Sequence, residues 1–206
     1  MTTATETAAS DVFQALRNRR SIYGLNKQSP IPDKQIQELI EETIKHTPSA
    51  FNSQTTRIIL LLHKEHDKLW DITTEILRAA VPANQFEPTE QKMQGFKSAY
   101  GTVMFFEDQA IVESLQKQFA LYQDRFPVWS EHTSAMHQIV IWMALEAEGF
   151  GANLQHYNPL IDEKVKAQWK IPENWKLIAQ MPFGEPTMQP QDKEFQPLES
   201  RFKVFA

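Results

Sequence analysis

The 206-residue chain carries a formal net charge of −5, and its residues are 41% hydrophobic and 23% charged. These values are typical of one globular domain with a sizeable core. The acidic balance argues against a dedicated nucleic-acid-binding protein, because such proteins present a basic face to phosphates. The absence of cysteine excludes disulfides, thiolate metal sites and a cysteine nucleophile.

The N-terminal residues and the apolar runs predict where the protein works. No apolar run of the sequence is long enough to cross a membrane. The first ten residues are rich in Thr and Ala and lack the positive and apolar regions of a secretory signal. We therefore expect a cytoplasmic protein that does not insert into membranes, with a disordered tail over residues 1–10 and a single domain over residues 11–206.

Helical and extended patterns alternate irregularly along the chain, which predicts an α+β fold. Ser10 and Asp11 are suited to begin a first helix, and Asp33, after Pro30 and Pro32, begins a second that runs to about residue 46. The remaining spacings predict helices over about 65–80, 109–122, 130–148 and 162–169, with a shorter one around residues 93–96. Short apolar runs predict strands over 57–63, 102–107, 152–157 and 176–181, and a last strand over 198–205.

The predicted helix over 130–148 follows an aromatic loop, residues 126–129. Its apolar residues extend most of the way round the helix, so we expect it to be central and buried. Neither an internal repeat nor an interdomain linker is evident in the sequence, which agrees with one domain.

A polar stretch, residues 48–57, lies between a predicted helix and a predicted strand. Its Ser and Asn side chains favour turns, because they form hydrogen bonds with nearby backbone. Asn52 and Gln54, two residues apart, are suited to presenting amide donors and acceptors to a flat polar ligand. A capped turn between helix and strand is the simpler interpretation.

The first helix ends in a basic group, Arg17, Arg19 and Arg20. Cations at a helix C-terminus are favoured by the helix dipole, which would account for them as simple end stabilisation. Arginine side chains also bind phosphate through paired N–H donors. The residues alone leave both interpretations open.

Three common site types lack their patterns in this sequence. Six histidines occur without a His-Glu-x-x-His arrangement, so we expect no metal site. A Gly-x-Ser-x-Gly elbow is also missing, which argues against a serine hydrolase. Gly149 and Gly151 follow a predicted helix rather than a strand, which opposes both nucleotide-binding glycine loops.

Taken together, Arg19-Arg20-Ser21, residues 48–57, residues 149–159, and Arg201 with Lys203 resemble the FMN-dependent nitroreductase family. The similarity is strongest to its smaller branch, related to the fungal fatty-acid-repression nitroreductases and their bacterial homologues. It extends from about Phe13 to Phe205. The resemblance implies a nitroreductase-like α+β fold, in which helices flank a central mixed or antiparallel sheet. It also implies a homodimer with FMN at its interface and a C-terminal arm, residues 186–206, that extends to the partner subunit.

The resemblance assigns site residues by position. It places phosphate contacts at Arg19 and Arg201, contacts to phosphate, ribityl or ring at Arg20 and Ser21, and an amide pair at Asn52 and Gln54. The loop over one isoalloxazine face corresponds to Gln155, His156, Tyr157 and Asn158, and Lys203 is a further phosphate candidate. Aromatic residues that could line the substrate side, or simply form core and interface, are Phe51, Phe119, Tyr122, Phe126 and Trp129.

The activity implied is that of an NAD(P)H-dependent FMN oxidoreductase. NAD(P)H would reduce FMN, and the flavin would pass electrons to a nitroaromatic, quinone or similar small-molecule acceptor by a ping-pong mechanism. The flavin would carry the chemistry, so we expect no catalytic acid or base from the protein. Two alternatives are a flavin-binding regulatory or stress-response protein with little turnover, and a helical interaction protein without flavin.

Overall fold

The computed structural model describes residues 9–205. Within them the helices are α1 (Ala9–Asn18), α2 (Asp33–His46), α3 (His63–Ala80), α4 (Glu87–Lys97), α5 (Gln109–Gln118), α6 (Phe126–Ala147) and α7 (Asp162–Trp169). The strands are β1 (Leu25–Asn26), β2 (Thr56–Leu62), β3 (Gly101–Asp108), β4 (Gly151–Ala152) and β5 (Trp175–Pro186). The predicted α+β class is confirmed.

An antiparallel sheet with the order β1-β5-β3-β2 forms the centre of the molecule, and β4 pairs with β5 beside this path. All eight residues of β3 are buried. Successive side chains of a strand point to opposite faces, so its continuous apolar run supplies two cores. Val103 and Phe105 pack with residues of α2 and α6, whereas Met104 and Phe106 pack with residues of α3, α4 and α7.

One polar group is built into the second of these cores. His66 Nδ1 lies 2.8 Å from Thr102 Oγ1, and Trp70 Nε1 donates to the same hydroxyl at 3.1 Å. The other ring nitrogen, Nε2, faces the Lys97 carbonyl at 3.2 Å, so it carries the hydrogen. Burial lowers the pKa of His66 to about 4, so the ring is neutral and joins α3 to β3.

The longest helix begins earlier than the sequence predicts. Helix α6 starts at Phe126 rather than Ser130, with Pro127 in its first turn, so the predicted loop over 126–129 is wrong. Proline at a helix N-terminus sacrifices no hydrogen bond, because the first N–H groups have no intrahelical acceptor. Helix α6 is also buried on one side only, rather than most of the way round as predicted, since Met136 and Val140 are exposed.

The predicted strands of the C-terminal half are also corrected. The strand over 152–157 is reduced to the two-residue β4 and a single bridge between Gln155 and Gln180. Strand β5 is longer than residues 176–181 and includes Gly184. The predicted strand over 198–205 is wrong, because the chain there forms only a 3₁₀ turn, Leu198–Ser200. No strand of the described chain pairs with this segment.

At the N-terminus, helix α1 already includes Ala9 and Ser10, so the predicted disordered tail over residues 1–10 is too long. The rest of that predicted tail, residues 1–8, lies outside the described residues. The sequence analysis also missed β1, a two-residue strand too short to give a periodic signal.

Two glycines provide a matched test of this packing. A Cβ at Gly184 would lie 2.9 Å from the Tyr100 backbone nitrogen and closer still to the Asn26 carbonyl oxygen. Backbone atoms cannot rotate away, so Gly184→Ala should destabilise the fold by about 1–3 kcal/mol. Gly95 in α4 has no atom within 4 Å of such a Cβ, so Gly95→Ala should stabilise by about 0.5–1 kcal/mol. Denaturant unfolding measures both, and a Gly184→Ala protein as stable as the wild type would contradict the packing described.

Candidate functional site

The segment after α1 is joined to the segment after β4. The Ile22 N–H donates to the Ala152 carbonyl at 2.9 Å, and Asn153 Nδ2 donates to the Ile22 carbonyl at 2.8 Å. Ser21 forms an isolated parallel bridge with Ala152. Two segments that are about 130 residues apart in sequence therefore lie side by side. Arg19 lies in the segment after α1, and Gln155 lies in the segment after β4.

Arg19 is a half-buried cation without an anionic partner. Its guanidinium carbon lies 4.5 Å above the ring of Trp142, and its Nε is buried with no hydrogen-bond acceptor among residues 9–205. Burial and the charge of Arg20 lower the pKa of Arg19, since both disfavour the cation. An unpaired buried cation is costly, and an anion bound here would relieve that cost.

A cavity of about 700 Å³ opens beside this arginine. Its lining comes from the segment after α1 and from the start of the C-terminal arm: Arg19, Arg20, Ser21, Ile22, Tyr23 and residues 188–194. Arg20 closes one wall, because its guanidinium donates to the Gln191 carbonyl. Two arginines and a serine hydroxyl thus face one space, which suits a phosphate group.

The predicted loop at 155–158 is fixed to β5 by Gln180. The Gln155 N–H donates to the Gln180 carbonyl at 2.7 Å, and the Tyr157 N–H donates to Gln180 Oε1 at 2.8 Å. Between them, the His156 N–H has no acceptor in the described part of the chain, and its side chain is exposed. This loop therefore leaves the His156 N–H free to donate a hydrogen bond to a ligand.

Two side chains of this loop do not face an open site. Gln155 is buried, and its Nε2 donates to Asn153 Oδ1 at 2.8 Å. The Tyr157 ring packs against the core residues Trp70 and Phe96, with centroids 5.9 and 6.3 Å away. A direct side-chain role for these two residues in ligand binding is therefore not supported by the protomer. Their backbone, by contrast, positions the neighbouring His156.

Three residues of the polar stretch adopt left-handed backbone conformations. Phe51, Asn52 and Gln54 have φ angles of 57°, 50° and 48°. Such angles are unfavourable for residues other than glycine and persist where the surrounding structure enforces them. The Gln54 N–H donates to Ser49 Oγ at 3.0 Å, and Arg57 Nη1 donates to the Gln54 carbonyl at 2.8 Å. As a result the amide side chains of Asn52 and Gln54 project into solvent.

The predicted aromatic residues form one cluster around Phe51. Its ring lies 5.0 Å from Phe119, 6.3 Å from Tyr122 and 6.0 Å from Trp129, the last of these stacked at 23°. Phe126 is buried and belongs to the core, whereas Phe51 and Tyr122 are about half exposed. The cluster therefore has a buried part, Phe126, that belongs to the core, and an exposed part, Phe51 and Tyr122, that could contact a ligand.

One protomer does not bring all the predicted site residues together. Arg19 packs on Trp142 and Phe51 packs on Trp129, and these two tryptophans are separated by about 20 Å along α6 at 1.5 Å per residue. The last two predicted phosphate ligands, Arg201 and Lys203, are exposed in the C-terminal arm. That a second copy of the chain brings these groups into a single pocket stays a prediction.

The sequence analysis missed two residues that organise this region. Trp142 supports Arg19 from 123 positions away, and no local pattern connects them. Gln180 was detectable in principle, because a lone amide within an otherwise apolar run, residues 177–183, must find hydrogen-bond partners when buried.

The described chain offers two further findings. Within residues 9–205, no group of three or more His, Asp or Glu side chains is arranged to hold a metal ion. Over the same residues, every helix is either too short or too polar to span a bilayer.

The unpaired Arg19 predicts a specific response to phosphate. Inorganic phosphate at ten times its Kd should raise the free energy of unfolding by about 1.4 kcal/mol. Arg19→Gln should abolish this effect, whereas Arg17→Gln should retain it, because Arg17 is exposed and its guanidinium, within residues 9–205, bonds only Gln14, at 3.0 Å. Thermal unfolding at constant ionic strength measures the shift. An equal phosphate effect in both variants would show that Arg19 does not form an anion site.

Comparison with known proteins identifies the family. The Nitroreductase family model matches residues 16–185. The Saccharomyces cerevisiae protein HBN1 is 39% identical over 190 residues, which cover 91% of this chain and 94% of HBN1. Nitroreductase FRM2 of the same yeast is 34% identical, with 89% and 92% of the two chains covered. The structure of nitroreductase CinD from Lactococcus lactis superposes with a TM-score of 0.89 at 46% identity, covering 95% of this chain and 100% of CinD. The chain therefore belongs to the nitroreductase family.

Proposed function

We propose that the protein is an oxidoreductase that binds FMN and uses NAD(P)H to reduce small aromatic acceptors. The observation that carries the proposal is Arg19, a half-buried cation that lacks an anionic partner in the described chain and faces a cavity shared with Arg20 and Ser21. These residues fit the phosphate end of FMN. The chemistry that FMN supplies when bound is hydride acceptance from NAD(P)H, then electron delivery to the acceptor, which predicts ping-pong kinetics.

The residues at 155–158 fit the ring end of the same cofactor. His156 presents a backbone N–H with no acceptor in residues 9–205, and Gln180 fixes the N–H groups on either side of it. A rigid donor of this kind stabilises negative charge that develops on a ring nitrogen. Ser21 and Ala152 form a β-bridge. The residues proposed to bind the FMN phosphate and those proposed to bind its ring therefore belong to two directly bonded segments. A protein of the same fold from Desulfovibrio desulfuricans, 19% identical with a TM-score of 0.70, has been solved in complex with FMN.

The aromatic cluster supports a flat acceptor. Phe51 and Tyr122 expose ring surface while Trp129 and Phe119 hold Phe51 in place. Aromatic faces favour stacked planar ligands. Structures of CinD have been determined in complex with nicotinic acid, chloramphenicol and 4-nitrophenol. By analogy, nitroaromatics, quinones and related planar molecules are the acceptors proposed for this chain.

A homodimer would bring the two distant groups of residues into one pocket. In the described part of the C-terminal arm, five large apolar side chains are at least 69% exposed: Phe195, Leu198, Phe202, Val204 and Phe205. Between α2 and α6 lies an apolar groove of about 850 Å³, and β2 ends the sheet with one edge unpaired within the described chain. Exposed apolar surface of this extent is typical of an association site. In the proposed dimer the arm carries Arg201 and Lys203 towards the partner's cofactor. A cytoplasmic location remains a prediction.

The redox proposal is tested by the spectrum of the purified protein. We expect a yellow flavin absorbance, or its recovery on adding FMN, that bleaches with NADH or NADPH under anaerobic conditions and returns on adding 4-nitrophenol or a quinone. The same titration with each nicotinamide shows which donor is used. A colourless protein that cannot be reconstituted with FMN would refute the proposal, and bound FMN that neither nicotinamide reduces would favour a regulatory flavoprotein.

The dimer proposal is tested at the arm. Ending the chain after Pro197 removes Leu198, Phe202, Val204 and Phe205 together with Arg201 and Lys203, so dimerisation and FMN retention should both fall. Replacing Phe202 and Phe205 with Ser should weaken the dimer in the full-length arm, and Glu199→Gln serves as the control. Light scattering and flavin content report the two effects. A truncated chain that remains dimeric and flavin-loaded would contradict this role of the arm.

A further inference from the structure

Glu107 is a fully buried carboxyl group near the end of β3, on the strand that separates the two cores. It pairs with Thr56 of β2 on one side and with Lys176 of β5 on the other. The Thr56 hydroxyl donates to Glu107 Oε1 at 2.6 Å. The second oxygen, Oε2, is buried and has no hydrogen-bond partner in residues 9–205. The same holds for the hydroxyl of Thr55, which lies beside the carboxyl group.

The cations around this carboxyl group are already paired with other acids. Arg57 Nη2 donates to Asp108 at 3.0 Å, and Lys176 Nζ lies 2.7 Å from Glu131 Oε1. A buried carboxylate without a counterion is costly, and such a group keeps a proton instead. Burial accordingly raises the pKa of Glu107 to about 7. A proton on Oε2 could be donated to the Thr55 hydroxyl, whereas hydrogen bonds from Thr55 and Thr56 to the ionised form lower the pKa and are outweighed by burial.

Two charged groups act on Glu107, Arg57 on β2 and Glu131 on α6, and Lys176 lies opposite Glu107 on β5. Asp108 follows Glu107 on β3 and pairs with Arg57, and His137 on α6 lines a cavity together with Thr56 and Arg57. His137 is buried, its Nδ1 donates to the Thr133 carbonyl at 2.9 Å, and burial lowers its pKa, so it is neutral at neutral pH. Glu131 adds negative charge and opposes ionisation of Glu107. Of these groups, Arg57 is the cation that ionised Glu107 would attract.

That attraction would reach the polar stretch of the candidate site. Arg57 Nη1 donates to the Gln54 carbonyl at 2.8 Å and to the Thr56 carbonyl at 3.0 Å. These bonds hold the strained, left-handed turn that presents Asn52 and Gln54 to solvent. If Arg57 reorients towards an ionised Glu107, the turn loses one of its restraints and the strain can relax.

We propose that Glu107 is a positioning residue that is protonated when the 51–56 turn is in its binding conformation, and that loss of this proton releases the turn. The role of the turn in holding the cofactor rests on the proposed function, whereas the proton on Glu107 does not. Glu107 thus makes ligand binding at the turn depend on pH, although it lies beneath the site and touches no ligand.

The proton itself is tested by infrared spectroscopy of the wild-type protein, Glu107→Gln, and the exposed control Glu113→Gln. We expect the carbonyl stretch of a protonated carboxylic acid at pH 6, its loss by pH 9, and its absence from Glu107→Gln alone. Thr55→Val, which removes the acceptor, should shift the band to the position of a carboxylic acid with a weaker hydrogen bond. A wild-type protein without the band at pH 6, or a band retained in Glu107→Gln, would overturn the proposal.

The turn is tested by hydrogen exchange of residues 51–57, compared between variants at the same pH. At pH 8.5 the wild type and Glu113→Gln should exchange faster than Glu107→Gln, and at pH 6 the three should agree. Because the pKa of Glu107 is raised in the folded protein, the folded state binds this proton more tightly than the unfolded state. The resulting stability is present at acid pH and is lost as the pH rises towards 7. Glu107→Gln should therefore have a higher Tm than the wild type at pH 8.5. Equal exchange of all three proteins at both pH values would refute the release of the turn.

The consequence for the cofactor is tested by FMN titration. If only the protonated form binds and the pKa is about 7, the Kd of the wild type should rise about tenfold by pH 8 relative to its acid limit. Glu107→Gln, which is always neutral, should show only the pH dependence of FMN itself. The same Kd profile in both proteins would refute the coupling. Failure to bind FMN at any pH would count against the proposed function, and the infrared and exchange results would still decide the role of Glu107.

Discussion

The antiparallel pairing of β3 with β5 is the constraint on which both parts of the candidate site depend. At one part, β5 carries Gln180, which fixes the loop containing His156 and thereby positions a free backbone donor. At the other, β3 carries Glu107, which lies under the turn that presents Asn52. The helices cover the two faces of this sheet, so a shift of its register would move both groups at once and turn core side chains towards the wrong face.

Two ionisable groups without a counterion, Arg19 and Glu107, lie in these parts of the site, and they respond to burial in opposite ways. Arg19 cannot readily lose its proton, so a half-buried guanidinium without a partner favours binding of an anion. Glu107 resolves the same difficulty by keeping a proton, because its neighbouring cations are already paired. One group therefore indicates what the site binds, and the other indicates how the site can depend on pH.

Backbone strain connects the sheet to the aromatic wall. Phe51 is both a left-handed residue and the centre of the aromatic cluster, so the turn that exposes the amides also orients the ring. The cluster stacks this ring on Trp129 in the first turn of α6. Conformations of this kind need support from several sides, which the Ser49 and Arg57 hydrogen bonds supply. The geometry of the exposed residues is thus decided by half-buried neighbours, Ser49, Arg57 and Trp129.

The sequence by itself determined the fold class, the family resemblance and most helices, because apolar spacing and capping residues act within a few positions of one another. It also pointed to Arg19, Asn52 and His156. Only the tertiary structure decided which atoms are free: the unpaired Nε of Arg19 over Trp142, the free N–H of His156, and the buried acid beneath the turn. These depend on contacts between residues that are distant in sequence, and burial, pairing and protonation exist only once those contacts have formed.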